Sequence, residues 1–69
     1  MAAYTQILED LNDGILTLTL NRPDRLNAWT PVMQAELETA IRAAGDNADV
    51  RCIIVTGAGR GFCAGADMN

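Results

Sequence analysis

The run Val50-Arg51-Cys52-Ile53-Ile54-Val55-Thr56 passes without a break into Gly57-Ala58-Gly59-Arg60-Gly61-Phe62-Cys63-Ala64-Gly65-Ala66-Asp67. The Cys52–Val55 stretch lacks the two-residue alternation of a half-exposed strand, which predicts a strand covered on both faces, as in a parallel sheet. A glycine-rich turn directly after such a strand leaves backbone amides without a regular partner. Free amides make an anion or oxyanion site possible at this end of the sheet.

The remaining segments read around that strand. Tyr4–Glu9 and Ile15–Leu20 alternate between faces, the second more clearly, with Leu16, Leu18 and Leu20 on one side. Both are predicted strands, and the Asp13-Gly14 pair in Asp10–Gly14 predicts a tight antiparallel hairpin between them. Pro23 cannot donate to a ladder, so the second strand should end near Asn21. Thr30 then caps a helix with Pro31 in its first turn. Met33, Leu37, Ala40, Ile41 and Ala44 repeat at helical spacing, and Gly45 closes the helix. Strand, helix, strand in that order predicts a parallel right-handed crossover. Three strands and one helix cannot cover both faces of the sheet they form.

Composition narrows the chemistry. The 69 residues carry a net charge of -4, five arginines, no lysine and no histidine. There is thus no basic surface for nucleic acid or an anionic membrane, and no run approaches the roughly 18 apolar residues of a membrane span. With Cys52 and Cys63 as the only thiols and no histidine, metal binding is not expected. No secretory leader is legible at the N-terminus, and both thiols are read as reduced and intracellular. A chain of this length buries only about 60% of the surface exposed by its unfolded form, so support from a partner chain is expected.

Two phosphate-binding readings of the turn can be tested on the residues. A P-loop requires a lysine, which the chain lacks. The dinucleotide fingerprint matches only as Gly59-x-Gly61-x-x-Ala64, displaced from the strand end, and its acidic partner would fall beyond Asn69. Glycines 57 and 59 read as suppliers of positive φ in a surface turn. Gly65, between Ala64 and Ala66, lies where small side chains would let a ligand rest against the backbone.

Ile15–Ala28, through Leu20-Asn21-Arg22-Pro23 and Leu26-Asn27-Ala28, and Ile53–Asp67, through Val55-Thr56-Gly57 and Phe62-Cys63-Ala64-Gly65-Ala66-Asp67, together resemble the start of the crotonase, or enoyl-CoA hydratase/isomerase, superfamily. The resemblance implies an α/β fold of the crotonase type, built from ββα units, of which these residues supply three strands and one helix. Residues 1–69 would then be the N-terminal part of a single acyl-CoA-binding domain, with a companion chain carrying the rest. It further implies an acyl-CoA thioester substrate, no cofactor besides the coenzyme A of that substrate, a cytoplasmic homotrimer or dimer of trimers, and hydration of a 2-enoyl-CoA. Isomerisation of a double bond or ring, and a non-catalytic module that binds CoA or a protein, are the alternatives.

Residue by residue, the resemblance makes Ala66 a backbone donor of the oxyanion hole. Ala64, Gly65, Ala66, Asp67 and Met68 would line one side of the CoA groove, and Arg25, Leu26 and Ala28 the other, with Arg25 near a phosphate. Asp67 also reads as the N-cap of a following helix. Asn27 is expected to tie its loop together, Trp29 to pack, Cys52 to lie in the core, and Cys63 to act as a small buried apolar residue. Glu9, Glu36 and Glu38 sit on a strand end and a helix, so none is placed to act as a base at the turn. The glutamates that perform proton transfer in hydratases would come from later segments.

Overall fold

A computed structural model describes residues 4–63 and residue 65 of the chain. Its elements, in order, are β1 (Ile7–Asn12), β2 (Ile15–Leu20), a short 3-10 turn (Pro23–Arg25), α1 (Pro31–Gly45) and β3 (Cys52–Gly57). The three strands form one sheet in the order β1-β2-β3, with β1 antiparallel and β3 parallel to β2. A parallel neighbour reached through a helix agrees with the parallel pairing expected from the sequence.

The first strand lies three residues further along than the alternation of Tyr4–Glu9 suggests. The cause is the hairpin. Asn12 pairs with Ile15, so the connection is Asp13-Gly14 alone, with φ of 52° and 80°. Two consecutive residues with positive φ match the twist of the flanking strands, and this draws Asp10–Asn12 into the ladder. Tyr4–Gln6 instead form an irregular lead-in, fastened by the Glu36 carboxylate. That carboxylate accepts hydrogen bonds from the Thr5 amide at 2.7 Å, the Thr5 hydroxyl at 3.1 Å and the Gln6 amide at 2.8 Å.

Helix α1 begins as its sequence dictates. Thr30 is extended (φ -126°, ψ 161°), and its hydroxyl oxygen accepts the Met33 N–H at 3.0 Å. The same hydroxyl donates to the Gln6 side-chain oxygen, so the cap also holds the lead-in to β1. At the other end Gly45 is still helical, and Asp46, in the right-handed region, donates its N–H to the carbonyls of Ala43 and Ala44. The helix therefore ends without a left-handed glycine.

Paired residues share a face of the sheet, so Ile7, Leu16, Leu18 and Leu20 point together toward α1. They meet Met33, Leu37, Ala40 and Ala44, and these eight residues make up the buried apolar core. Each fully buried large side chain among them contributes about 1.5–3 kcal/mol. Ile41, expected in the stripe, is 46% exposed, because it lies beyond the edge of the face that α1 turns to β1 and β2.

β3 departs from the expectation of a strand covered on both faces. It is the last strand of the sheet, α1 packs over β1 and β2, and Ile53, Ile54 and Val55 remain 39%, 47% and 39% exposed. Cys52, expected in the core, is exposed for the same reason. The uniform apolar character of the strand thus marks surface that the described residues leave uncovered.

The end of β3 is tightly folded. A Cβ placed on Gly57 would stand 2.6 Å from the Gly61 carbonyl oxygen and 2.7 Å from the Phe62 backbone. Gly57 has no positive φ, so close approach of the returning chain, rather than backbone conformation, demands glycine there. Gly59 does have a positive φ, +79°, as expected.

Two outcomes follow for stability. Glu36 titrates below its ordinary value of 4.5: partial burial raises it, but hydrogen bonds from the Thr5 and Gln6 amides, the Thr5 hydroxyl and the Ile7 amide outweigh that effect. A folded-state value below the unfolded one means a stabilisation that is complete above about pH 4.5 and is lost as pH falls through the folded value. Glu36→Gln should therefore cost about 1 kcal/mol near neutrality in urea unfolding, with the wild-type and variant curves converging under acid conditions. Gly57→Ala should cost about 1–3 kcal/mol, because rigid backbone has to move to admit the methyl group. A midpoint shift at unchanged m-value is its measure.

Candidate functional site

The site is made by two loops that meet beyond the C-terminal ends of the parallel pair β2 and β3. The first, following β2, turns sharply: Asn27 N–H donates to the Arg22 carbonyl at 2.8 Å, and Ala28 N–H to that of Arg25 at 3.1 Å. Leu26 and Asn27 both adopt left-handed conformations, with φ of 51° and 56°. Such a conformation costs a residue with a Cβ roughly 1–2 kcal/mol, so something must hold it.

What holds it is the Asn27 side chain, which is completely buried. Its Oδ1 accepts the Arg22 N–H at 2.7 Å, and its Nδ2 donates to the carbonyls of Ala58 at 2.9 Å and Gly61 at 2.7 Å. One donor and two acceptors admit only one orientation of the carboxamide, with oxygen toward Arg22 and nitrogen toward the turn. The expected role of tying its own loop together is thereby met, and the residue also binds the second loop. Among the described residues no buried side-chain polar atom lacks a partner.

The glycine-rich turn is pressed against the first loop at several points. Ala58 N–H continues the ladder to the Leu20 carbonyl at 2.8 Å. A Cβ on Gly59 would approach Pro23 Cβ to 2.9 Å, and one on Gly61 would touch the Leu26 side chain at 3.6 Å. Further along, Trp29 N–H donates to the Gly65 carbonyl at 2.7 Å. Trp29 itself packs against the core, as does the half-buried Cys63, in agreement with the roles expected of them.

Of the residues expected to line a CoA groove, Arg25 and Leu26 are exposed on the first loop, Ala28 is half-buried, and Gly65 is exposed with open space around it. The two loops bring these four to the same end of the sheet. Ala64, Ala66, Asp67 and Met68 lie outside the described residues. The sequence reading did not single out Arg60, which is exposed on the turn between Gly59 and Gly61, the two glycines at which a Cβ would meet Pro23 and Leu26. Its signal was electrostatic: in an acidic chain, three of the five arginines (22, 25 and 60) fall on these two loops. Arg22 is engaged in donating to the Ala28 carbonyl at 2.7 Å.

No carboxylate was expected to serve as a base here, and Glu36 is committed to the β1 lead-in at the start of α1. Among the described residues no cluster of histidine, cysteine, aspartate or glutamate could hold a metal ion, and no helix is long and apolar enough to cross a membrane. Among the described residues the arrangement offers the exposed Arg25 and Arg60 and the small residues Ala28 and Gly65 at one end of the sheet, which are means of binding an anionic ligand.

Comparison with known proteins bears on this geometry. A sequence model described as enoyl-CoA hydratase/isomerase matches residues 15–69. A 1,2-epoxyphenylacetyl-CoA isomerase of Escherichia coli is 48% identical over 63 residues, spanning 91% of this chain and 24% of that protein. A probable enoyl-CoA hydratase of Mycobacterium tuberculosis is 45% identical over 69 residues, spanning 100% of this chain and 27% of that protein. The crystal structure of an enoyl-CoA hydratase/isomerase from Mycobacterium paratuberculosis superimposes with a TM-score of 0.92 at 42% identity, covering 97% of this chain and 26% of that one. Another from Xanthobacter autotrophicus gives 0.92 at 41% identity, covering 96% and 24%. The chain thus spans about a quarter of the length of the relatives it matches. With the strand order, the loop pair and the family match in agreement, the chain belongs to the enoyl-CoA hydratase/isomerase family and has the crotonase-type α/β fold in the part it spans.

Proposed function

We propose that this chain is the N-terminal part of an enzyme that hydrates a 2-enoyl-CoA, and that the loop pair beyond β2 and β3 forms one wall of its substrate site. The observation that carries the reading is the clamped junction of the two loops. It fastens the loop that carries Arg25, Leu26 and Ala28 to the glycine-rich turn through Asn27, and to Gly65 through Trp29, which supports the reading with the family match as its context.

In this reading the Ala66 amide donates to the thioester oxygen. Water adds across the double bond: its oxygen bonds to C3, and a base removes its proton. The π electrons move through C2 onto the thioester oxygen, and a proton is then returned to C2. The amide stabilises the charge on that oxygen as it develops, and removal of one such donor typically lowers rates by about 10²–10³. Ala64, Gly65, Asp67 and Met68 would line the path of the CoA and acyl chain, with Arg25, and Arg60 on the second loop, near a CoA phosphate. The carboxylates that move protons would lie in the remainder of the protein, which would also cover the exposed face and outer edge of β3. Assembly as a homotrimer or dimer of trimers in the cytoplasm belongs to the same reading and rests on the family likeness.

One observation favours a second reaction: the 48% identical relative is named an isomerase. Product mass separates the two for the full-length protein. Hydration of a 2-enoyl-CoA adds one water, whereas isomerisation leaves the mass unchanged and alters chromatographic retention. A protein that binds the thioester yet returns it unaltered would be the non-catalytic module, and the enzymatic reading would be wrong. Within an active enzyme, Arg25→Gln should raise KM for the enoyl-CoA by up to about tenfold, the worth of one charge-assisted contact, with kcat within about twofold. An unchanged KM would remove Arg25 from the groove.

A further inference from the structure

The helix-facing side of β1 is not apolar throughout. Ile7, Glu9 and Leu11 pair with Leu20, Leu18 and Leu16, all three of which are buried beneath α1. Ile7 is buried with them, yet Leu11 is 42% exposed, and between the two stands a half-buried carboxylate. A charge on the inward face of a sheet is costly unless something pairs with it.

Beside Glu9, between β1 and the second half of α1, lies a hollow of about 320 Å³. Leu11 and Leu16 line it from the sheet, Ala43 and Ala44 from the helix, and Val50 from the segment before β3. It therefore sits toward the start of β2, at the opposite end of the sheet from the loop pair. The space is open because α1 carries only a methyl group at Ala43, where a longer side chain would fill it. Its volume is at the lower end of the roughly 300–1,000 Å³ of small-molecule sites, which combine apolar walls with a few polar groups that fix orientation.

The polar groups here are unequal. Thr39 spends its hydroxyl on the Ala35 carbonyl at 2.9 Å, and the Asn47 side-chain oxygen accepts the Asp49 N–H at 2.9 Å. None of the five arginines lines the hollow, and the Glu9 carboxylate has no hydrogen bond or ion pair among the described residues. Tyr4 stands on the same wall; burial first, then the Glu9 and Glu36 carboxylates, push its phenol above the ordinary value of 10, so it stays neutral. Glu36 is occupied by the amides of the β1 lead-in. One unpaired negative charge thus remains at the edge of an apolar space, beside an aromatic ring.

We propose that this hollow is a binding site for a small organic ammonium ion, whose apolar body lies between Leu11, Leu16 and Ala43 while its charged head pairs with Glu9 and lies near the Tyr4 ring. Charge complementarity and size select the occupant: an anion is repelled by Glu9, and a neutral apolar molecule leaves the carboxylate unpaired. The site is separate from the acyl-CoA reading, since nothing in it depends on the loop pair.

The test is calorimetric titration of the full-length protein with 2-phenylethylammonium chloride, and with 2-phenylethanol, which has the same body and no charge. The amine should bind saturably and the alcohol at least about tenfold more weakly, the worth of one charge-assisted contact. The nearly isosteric Glu9→Gln should weaken the amine by about tenfold and leave the alcohol within about twofold, a charge-selective change that a merely structural role of Glu9 would not produce. Ala43→Leu, on the exposed side of the helix, should fill the space and weaken both by about tenfold or more.

Absence of saturable amine binding to the wild type overturns the inference, whatever covers the hollow in the full-length protein. So does equal affinity for amine and alcohol, or a folded Glu9→Gln that keeps wild-type affinity for the amine. If Glu9→Gln does not fold, Ala43→Leu decides: undiminished amine binding there places the ligand elsewhere and overturns the assignment.

Discussion

The architecture at the functional end of this chain depends on one buried carboxamide. Asn27 makes three hydrogen bonds, to the Arg22 amide and to the carbonyls of Ala58 and Gly61, from a position with no solvent exposure. Each buried partner left unsatisfied by its removal would cost about 1–3 kcal/mol, which exceeds the local price of two left-handed residues. The strained bend at Leu26-Asn27 and the path of the glycine-rich turn are therefore two aspects of one interaction. Neither loop has an apolar core of its own to define its shape.

Elsewhere the fold follows from patterning. Leu16, Leu18 and Leu20 supply one face of β2, α1 supplies Met33, Leu37, Ala40 and Ala44, and the cap at Thr30 sets where the helix begins. The lead-in to β1 is fixed by polar contacts to α1 and its cap: the Glu36 carboxylate accepts from the Thr5 and Gln6 amides, and the Thr30 hydroxyl donates to the Gln6 side-chain oxygen. The helix thus anchors both the core of the sheet and the segment that enters it. β3 stands apart, exposed on both faces and joined to the rest through its ladder with β2 and the clamped turn that follows.

Much of this was legible in the residues. The limits of β2 and α1, the hairpin at Asp13-Gly14, the parallel placement of β3 and the loop-tying role of Asn27 all follow from local rules that the structure obeys. The start of β1 was not, because Tyr4–Glu9 alternates as well as the true strand does, and only the two-residue turn sets the register. The exposure of Ile53, Ile54, Val55 and Cys52 was missed for a different reason: an apolar run reports what a strand is suited to bury against, and says nothing of whether these residues provide it. At the site, Arg25, Leu26 and Ala28 came from a family resemblance that the match over residues 15–69 supports. The bond from Trp29 to Gly65 joins residues far apart in sequence through backbone atoms alone, so no side-chain pattern could have announced it.

The central claim, that the Asn27 carboxamide binds the two loops together, is tested most directly by solvent exchange of its two Nδ2 protons, followed by nuclear magnetic resonance. Protons donated to the Ala58 and Gly61 carbonyls from a fully buried group should exchange at least about a thousandfold more slowly than those of a free primary amide, at a rate tied to opening of the loop pair. Exchange at the rate of a free primary amide would show that the side chain is solvated and that the loops are held by something else.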